Sequence, residues 1–312
     1  MKRIDVIIPT YRPGANLEEL LRRLEQQSCP PENIIIMNTE QQYWDCRLEE
    51  QFPRLQVHHL AKEDFDHGGT RDAGARLSKA DILVFMTQDA LPADNQLLEK
   101  LEAALEQESV AAAYARQLPQ KDCRLIERYT RSFNYPEKSR IKRLEDLPRL
   151  GIKTYFCSNV CAAYNREIYV RSGGFVRHTI FNEDMIYAAG LVKAGYGVAY
   201  EAEARVIHSH NYTGRQQLRR NFDLGVSQAQ HPEIFRGVPS EGEGLRLIKK
   251  TIGFLLRRGK LHLIPALIWQ SGCKYLGYLL GKNYRKLPHK WILRLTDSRH
   301  YWKKEGEVPG EI

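Results

Sequence analysis

Residues 64–72, Asp-Phe-Asp-His-Gly-Gly-Thr-Arg-Asp, hold the ingredients of an anion site. Gly68 and Gly69 permit close backbone approach, and Thr70 offers a hydroxyl and a cap for a helix over Arg71–Lys79. Arg71 adds a fixed cationic fork. His67 reads as a phosphate or substrate contact, the alternative being a loop imidazole held by backbone. Eighteen residues beyond Arg71, the buried-type run Asp81–Met86 leads through Thr87 and Gln88 to Asp89. A carboxylate there could bind Mg²⁺ or Mn²⁺ bridging two phosphates, whereas the bland reading makes it a cap for a helix near Ala93. Cradle and carboxylate together point to an enzyme that uses a nucleotide diphosphate.

Further along, Glu183-Asp184 opens a helical pattern after the glycine-containing stretch 173–181. Acids at a helix start commonly serve the dipole, yet one of two adjacent acids can face a cleft as a general base. His208-Ser209-His210 alternates along a strand end, so both imidazoles can share a face as metal or phosphate ligands, or serve packing alone. Tyr11, after Pro9-Thr10, could stack on a nucleobase, and Asn38-Thr39-Glu40 could meet ribose or base. None of these signals is specific alone; their shared position at strand ends raises them.

The elements that must position these residues alternate. Strand patterns at 4–9, 33–37, 55–60, 81–86 and 110–114 are separated by helical spacing such as Leu17, Leu20, Leu21, Leu24 and Leu97, Leu98, Leu101, Leu105. This predicts an α/β fold with a mostly parallel sheet covered by helices on both faces, with ligands at the carboxyl ends of the strands. Residues 117–152 are polar with little periodicity and are expected to be an insertion. Strand, helix and turn signals resume from 159 and end in a strand at 204–208, after which the pattern is helical.

The length, 312 residues, admits one large domain or two, and the 42% hydrophobic and 27% charged content is that of a soluble globular protein. No apolar run is long enough for a spanning helix, and Val6–Ile8 is too short for a signal peptide. The six cysteines form no CxxC pair and are read as reduced thiols of a cytoplasmic protein. Charge is unevenly placed: residues 1–215 hold 29 Lys or Arg against 30 Asp or Glu, residues 216–312 hold 18 against 8. The basic, aromatic stretch from Leu245 to Arg294 suits an anionic membrane surface or simple packing on the body. Nucleic acid is disfavoured, since no recognised binding motif accompanies the charge.

Val6-Ile7-Ile8-Pro9-Thr10-Tyr11, Phe65–Arg71, Thr87-Gln88-Asp89-Ala90, Asn182-Glu183-Asp184 and His208–Tyr212 run in an order that resembles the inverting glycosyltransferases of family 2, in particular their bacterial rhamnosyltransferase branch. The resemblance covers roughly residues 3–215 and implies a GT-A fold, a Rossmann-like sheet with helices on both faces. It implies that Thr10, Tyr11 and Asn38 or Glu40 surround the nucleoside. His67, Gly68, Gly69, Arg71 and Gln88 would line the rest of the donor site. Asp89, with His208 or His210, would hold Mg²⁺ or Mn²⁺ on the diphosphate. Asp184 would be the base and Glu183 its neighbour in the acceptor site. The family pattern usually has a second acid where Thr87 stands, so the metal would have one strand-end carboxylate.

The expected organisation is a transferase domain over 1–215 and a helical, basic extension over 216–312. The expected activity is sugar transfer with inversion from a nucleotide donor, dTDP-rhamnose first, to a glycan or lipid-linked glycan. The place would be the cytoplasm, peripherally at the inner face of a bacterial membrane. Competing readings are a UDP-hexose donor on the same scaffold, and a non-catalytic membrane-associated scaffold. Whether 117–152 forms an acceptor lid depends on packing that spacing does not reveal.

Overall fold

A computed structural model of the chain describes residues 2–238 and 241–305. Nine strands form one sheet: β1 (Ile4–Tyr11), β2 (Asn33–Thr39), β3 (Leu55–Leu60), β4 (Ile82–Met86), β5 (Leu91–Pro92), β6 (Val110–Leu118), β7 (Arg140–Lys142), β8 (Cys161–Asn165) and β9 (Gly197–Ile207). Their order is β3-β2-β1-β4-β8-β6-β9-β5, with β7 also on β9. The strands β3, β2, β1 and β4 run parallel to one another, as do β6 and β9; β8 pairs antiparallel with β4 and β6, and β5 and β7 antiparallel with β9. The sheet is therefore parallel where the strand–helix alternation predicted it and mixed beyond β4.

The helices begin with α1 (Asn16–Glu25), α2 (Arg47–Gln51), α3 (His67–Leu77), α4 (Leu97–Leu105) and α5 (Leu125–Asn134). There follow α6 (Leu147–Leu150), α7 (Arg166–Arg171), α8 (Glu183–Lys193), α9 (Gly214–Gln230) and α10 (Pro232–Phe235). The last are α11 (Glu241–Arg257), α12 (Ile264–Lys282), α13 (His289–Leu295) and α14 (Arg299–Glu305). The chain divides into two compact units. One comprises residues 1–122, 134–177 and 183–209; the other comprises 123–133, 178–182 and 210–312.

In the first unit, alternation along the strands sends Val6, Ile8, Ile34, Ile36, Val84 and Met86 to one face, where they join Leu17, Leu20, Leu21 and Leu24 of α1 and Leu97, Leu98 and Leu101 of α4. The opposite face meets α3. Gly74 is forced there, because a Cβ would lie 2.6 Å from Ile7 Cγ2. Phe85 on this face opens a cluster with Tyr164, Tyr169, Phe175 and Tyr187, their rings mostly edge to face. The segment 117–152 is not irregular as expected: it contains the end of β6, α5, β7 and α6. The apolar positions of α5 are interleaved with Arg and Glu, which hid its period.

In the second unit, α9 and α12 meet backbone to backbone. A Cβ on Gly277 would fall 2.1 Å from Leu218 O, and one on Gly281 would fall 2.1 Å from Phe222 O. Gly225 makes the same approach from α9, against Tyr278 O. Ile180, Phe222, Val226, Ile292 and Trp302 form the apolar core beside this seam. Among the described residues no helix is long and apolar enough to cross a membrane. All six cysteines are thiols outside any disulfide, and only Cys46 is exposed. Gly277→Ala should cost about 1–3 kcal/mol, because the obstacle is backbone and the helices must part; a lowered midpoint in thermal or urea unfolding checks it.

Candidate active site

The carboxyl ends of β1, β2 and β4 carry the first group of predicted residues. Thr10 lies opposite Asn38 in register, and its hydroxyl donates to Asn38 Oδ1 at 3.0 Å. The Asn38 amide nitrogen reaches Glu40 O and His59 Nδ1, so this fully buried side chain ties β1, β2 and β3 together. Its part in any nucleoside site is to shape the floor. Glu40 sits at positive φ (67°), accepts from the Lys62 backbone N–H and stays partly exposed. Tyr11 is 36% exposed, with Tyr43 edge-on to its ring at 5.8 Å. The Arg12 guanidinium covers Tyr43 at 4.5 Å, and Lys62 Nζ stands 5.3 Å from the Tyr11 ring. An aromatic ledge with two cations at strand ends suits a nucleobase and its phosphates. Arg12, Tyr43 and Lys62 were not singled out in the sequence, where they stand in unremarkable loops.

Gln88 grips the backbone of Tyr11 from both sides: its Oε1 accepts from Tyr11 N–H and its Nε2 donates to Tyr11 O. It joins the ends of β1 and β4. Asp89 follows directly and comes to His208 because Leu91 of β5 pairs with Ile207 of β9. Asp89 Oδ2 lies 3.4 Å from His208 Nε2. The other ring nitrogen of His208, Nδ1, lies 3.0 Å from Gln117 Oε1. The Gln117 amide nitrogen donates to the hydroxyls of Tyr135 and Ser158, so its oxygen faces the imidazole. Nδ1 then carries the proton, and the Nε2 lone pair is turned to the Asp89 carboxylate. Two acceptors this close call for a proton or a cation between them. One hard oxygen and one imidazole nitrogen, the latter oriented by an outer hydrogen bond, fit a divalent cation such as Mn²⁺ or Mg²⁺. Thr87 Oγ1 is buried and has no hydrogen-bond partner among the described residues. His210 follows His208 by two residues, and its ring leans on Tyr212 at 5.0 Å.

The His-Gly-Gly-Thr-Arg segment is the start of α3, and its local reasons differ from those expected. Asp66, not Thr70, caps the helix by accepting from Gly69 N–H. The cap carboxylate thus fills the position in which a phosphate was expected. Gly68 is needed for packing, since a Cβ would meet Val176 O at 1.9 Å. Arg71 is buried, donates to His67 O and pairs with Glu183 Oε1 at 3.1 Å. Its Nε has no hydrogen-bond partner among the described residues. The cationic fork is therefore turned to the acids at the start of α8.

Those two acids are separated in role by their surroundings. Burial works against the Glu183 carboxylate, but Arg71, then His67, then the Asn159 amide outweigh it and lower its pKa. Asp184 is partly exposed and moves the other way, raised to about 7 by burial and then by the charge of Glu183. Its oxygens accept from the backbone N–H groups of Asn159 (3.0 Å) and Met185 (2.7 Å), which hold it in place. Asn159 Nδ2 donates to Glu183 at 3.3 Å, and Tyr164 OH donates to Asn159 Oδ1 at 2.8 Å. A carboxylate poised near neutrality, partly open and firmly held, has the properties of a general base.

Ser158–Val160 joins the groups: Ser158 bonds Gln117, Asn159 bonds both acids, and Val160 O accepts from Thr87 N–H two residues before Asp89. Neither Gln117 nor Asn159 carried a sequence signal: Gln117 opens the polar stretch read as an insertion, and Asn159 begins a strand-like run with no motif. Asn159→Ala should leave the Glu183 carboxylate and the Tyr164 hydroxyl short of a buried partner. The expected loss is about 1–3 kcal/mol, read by urea unfolding, with Asn159→Gln as the milder control.

The sequence profile described as "Glycosyl transferase family 2" matches residues 5–172. The chain is 39% identical over 302 residues to the O-antigen chain rhamnosyltransferase RfbN of Salmonella typhimurium, covering 96% of each chain. It is 38% identical over 305 residues to the O-antigen chain rhamnosyltransferase WbaN of Salmonella anatum, covering 97% of this chain and 96% of that one. In fold it is similar to the mannosyltransferase PcManGT from Pyrobaculum calidifontis, solved in complex with GDP-Man and Mn²⁺. The TM-score is 0.57 at 18% identity, over 97% of this chain and 83% of that one. It is also similar to residues 1–349 of S. aureus TarS in complex with UDP-GlcNAc, with TM-score 0.52 at 15% identity over 91% and 92%. The sheet with its strand-end acids has the GT-A architecture, and the chain belongs to glycosyl transferase family 2.

Proposed function

We propose that this chain transfers a sugar, L-rhamnose from dTDP-rhamnose in the first instance, to a hydroxyl of a growing or lipid-linked polysaccharide. The observation that carries the reading is the acid pair at the start of α8: Glu183 is held ionised by Arg71, while Asp184, partly exposed, is raised to about 7. The names of the two Salmonella relatives support rhamnose as the sugar and O-antigen as the product class. In this reading residues 1–215 are the transferase domain and 216–312 a helical, basic extension. The reaction takes place in the cytoplasm, at the inner face of the cell membrane.

Asp184 takes the proton from the acceptor hydroxyl as that oxygen forms its bond to the anomeric carbon. The bond from that carbon to the diphosphate breaks on the opposite face, its electron pair leaving with the phosphate oxygen, and the configuration inverts. Glu183 keeps Asp184 from ionising too readily and is itself kept anionic by Arg71. Tyr11 and Tyr43 offer the base a ledge, with Arg12, Lys62 and Glu40 at its edge and Thr10, Asn38 and Gln88 holding its floor. Asp89 and His208, with His210 two residues on, would hold a divalent cation, Mg²⁺ or Mn²⁺. Such an ion supplies charge neutralisation for the departing diphosphate. Gln117 keeps the His208 lone pair directed at that position.

Thermal stabilisation by dTDP, UDP and GDP, each with and without Mn²⁺, tests the donor site. The expected result is a metal-dependent shift largest with dTDP. A larger shift with UDP would move the donor to a UDP-hexose, and no shift with any of them would favour a non-catalytic scaffold. Asp184→Asn should keep the nucleotide shift and lose transfer by roughly 10²–10⁴-fold. The wild-type rate should climb as pH rises through about 7, because the base must be ionised and its pKa is raised, and should level off above it.

A further inference from the structure

Water imposes a simple rule on a surface helix: apolar residues turn inward and charges outward. The helix α12 breaks it on its outer side. Leu267, Cys273, Gly277, Tyr278 and Gly281 face α9 and are buried. The outward side carries Pro265, Ile268, Trp269, Tyr275, Leu276 and Leu279, all exposed. Trp269 is 69% exposed, Tyr275 56% and Leu276 50%. Their spacing places them on one arc of roughly 120°, running about 20 Å along the helix axis. The only charge between Ile264 and Gly281, Lys274, lies on the other side of the helix, within electrostatic reach of Glu127 and Arg131. The backbone contacts of Gly277 and Gly281 with α9 hold the helix in this orientation.

The charges around the stripe say what covers it. Residues 244–296 contain no Asp or Glu and 12 Lys or Arg. Arg257, Arg258 and Lys260 are exposed just before α12, and Lys282, Arg285 and Lys286 are exposed at its end and in the next turn. Trp291, 58% exposed, stands between Lys290 and Arg294 on α13. An apolar strip with Trp and Tyr, flanked at both ends by cations and with no acid in its own segment of chain, matches the cross-section of an anionic bilayer surface. Rings and aliphatic chains enter the acyl boundary while ammonium and guanidinium groups meet lipid phosphates. A protein partner would have to supply an apolar groove with acids at both ends. A second copy of this surface would set like charges against each other.

We infer that the outward face of α12 is a membrane-docking surface that lies in the interface of an anionic bilayer, with Trp269 and Leu276 as its apolar centre and Lys282, Arg285 and Lys286 as its electrostatic anchor. The inference deepens the reading of a lipid-linked acceptor, since docking would bring the enzyme to it. It is tested without nucleotide or acceptor, so that either reading can fail alone.

Flotation of the full chain is measured with phosphatidylcholine vesicles and with vesicles containing about 30% phosphatidylglycerol. The wild type should float with the anionic vesicles, far less with the neutral ones, and lose much of its binding at about 0.5 M salt. Trp269→Glu with Leu276→Glu should cut the bound fraction at least roughly tenfold, and so should Lys282→Glu with Arg285→Glu and Lys286→Glu. All these positions are exposed, so an unchanged melting curve verifies the fold of each variant. The inference is overturned if the wild type ignores anionic vesicles, or if both variants bind as well as the wild type. It is equally overturned if light scattering shows a wild-type dimer that Trp269→Glu with Leu276→Glu converts to a monomer, which would make the stripe a self-association face.

Discussion

The acid pair of the candidate site depends on one buried amide. Asn159 gives its backbone N–H to Asp184 and its side-chain N–H to Glu183, and takes the Tyr164 hydroxyl in return. Arg71 also holds Glu183 and the Met185 N–H also holds Asp184, but only Asn159 reaches both acids. The donors of Asn159 fix both carboxylates, and they do so from the segment whose neighbours bond Gln117 and Thr87. The acid pair, the histidine support and the strand-end carboxylate thus share one frame.

Within that frame, charge and solvation divide the labour between two chemically similar groups. Both acids are disfavoured as anions by burial. Arg71 reverses this for Glu183, and the anion so created then discourages ionisation of its neighbour. The result is one permanent charge and one group that can exchange a proton near neutral pH. Arg71 acts on the site through Glu183, which is why an arginine beside two glycines need not meet a phosphate itself.

The second unit shows the same economy with glycine. Gly225, Gly277 and Gly281 let α9 and α12 touch through their backbones. Asp223 adds a buried polar pin beside it, accepting from Thr296 Oγ1 at 2.6 Å, with its pKa raised to about 7 by burial. The seam fixes the orientation of α12 and therefore which residues meet the surroundings.

The strand–helix alternation of the first half was legible because it is a local pattern: β-branched runs at β1, β2 and β4 and leucine spacing in α1 and α4 follow from which side chains water rejects. The strand-end positions of Thr10, Tyr11, Asn38, Glu40 and Asp89 followed from the same periods, and the motif order from the residues themselves. What tertiary structure alone decided were directions and partners. Gly68 and Gly69 stand as expected in a chemical motif, yet their space is taken by Val176 and Asp66. His208 meets Asp89 across 119 residues only because β5 and β9 pair. Gln117 and Asn159 stood in no motif, since a hydrogen bond between strands distant in sequence leaves no period behind. The sequence determined which groups were available and on which elements they ride. Burial and long-range pairing, which depend on the whole chain at once, decided which of them are charged, which are held and which face outward.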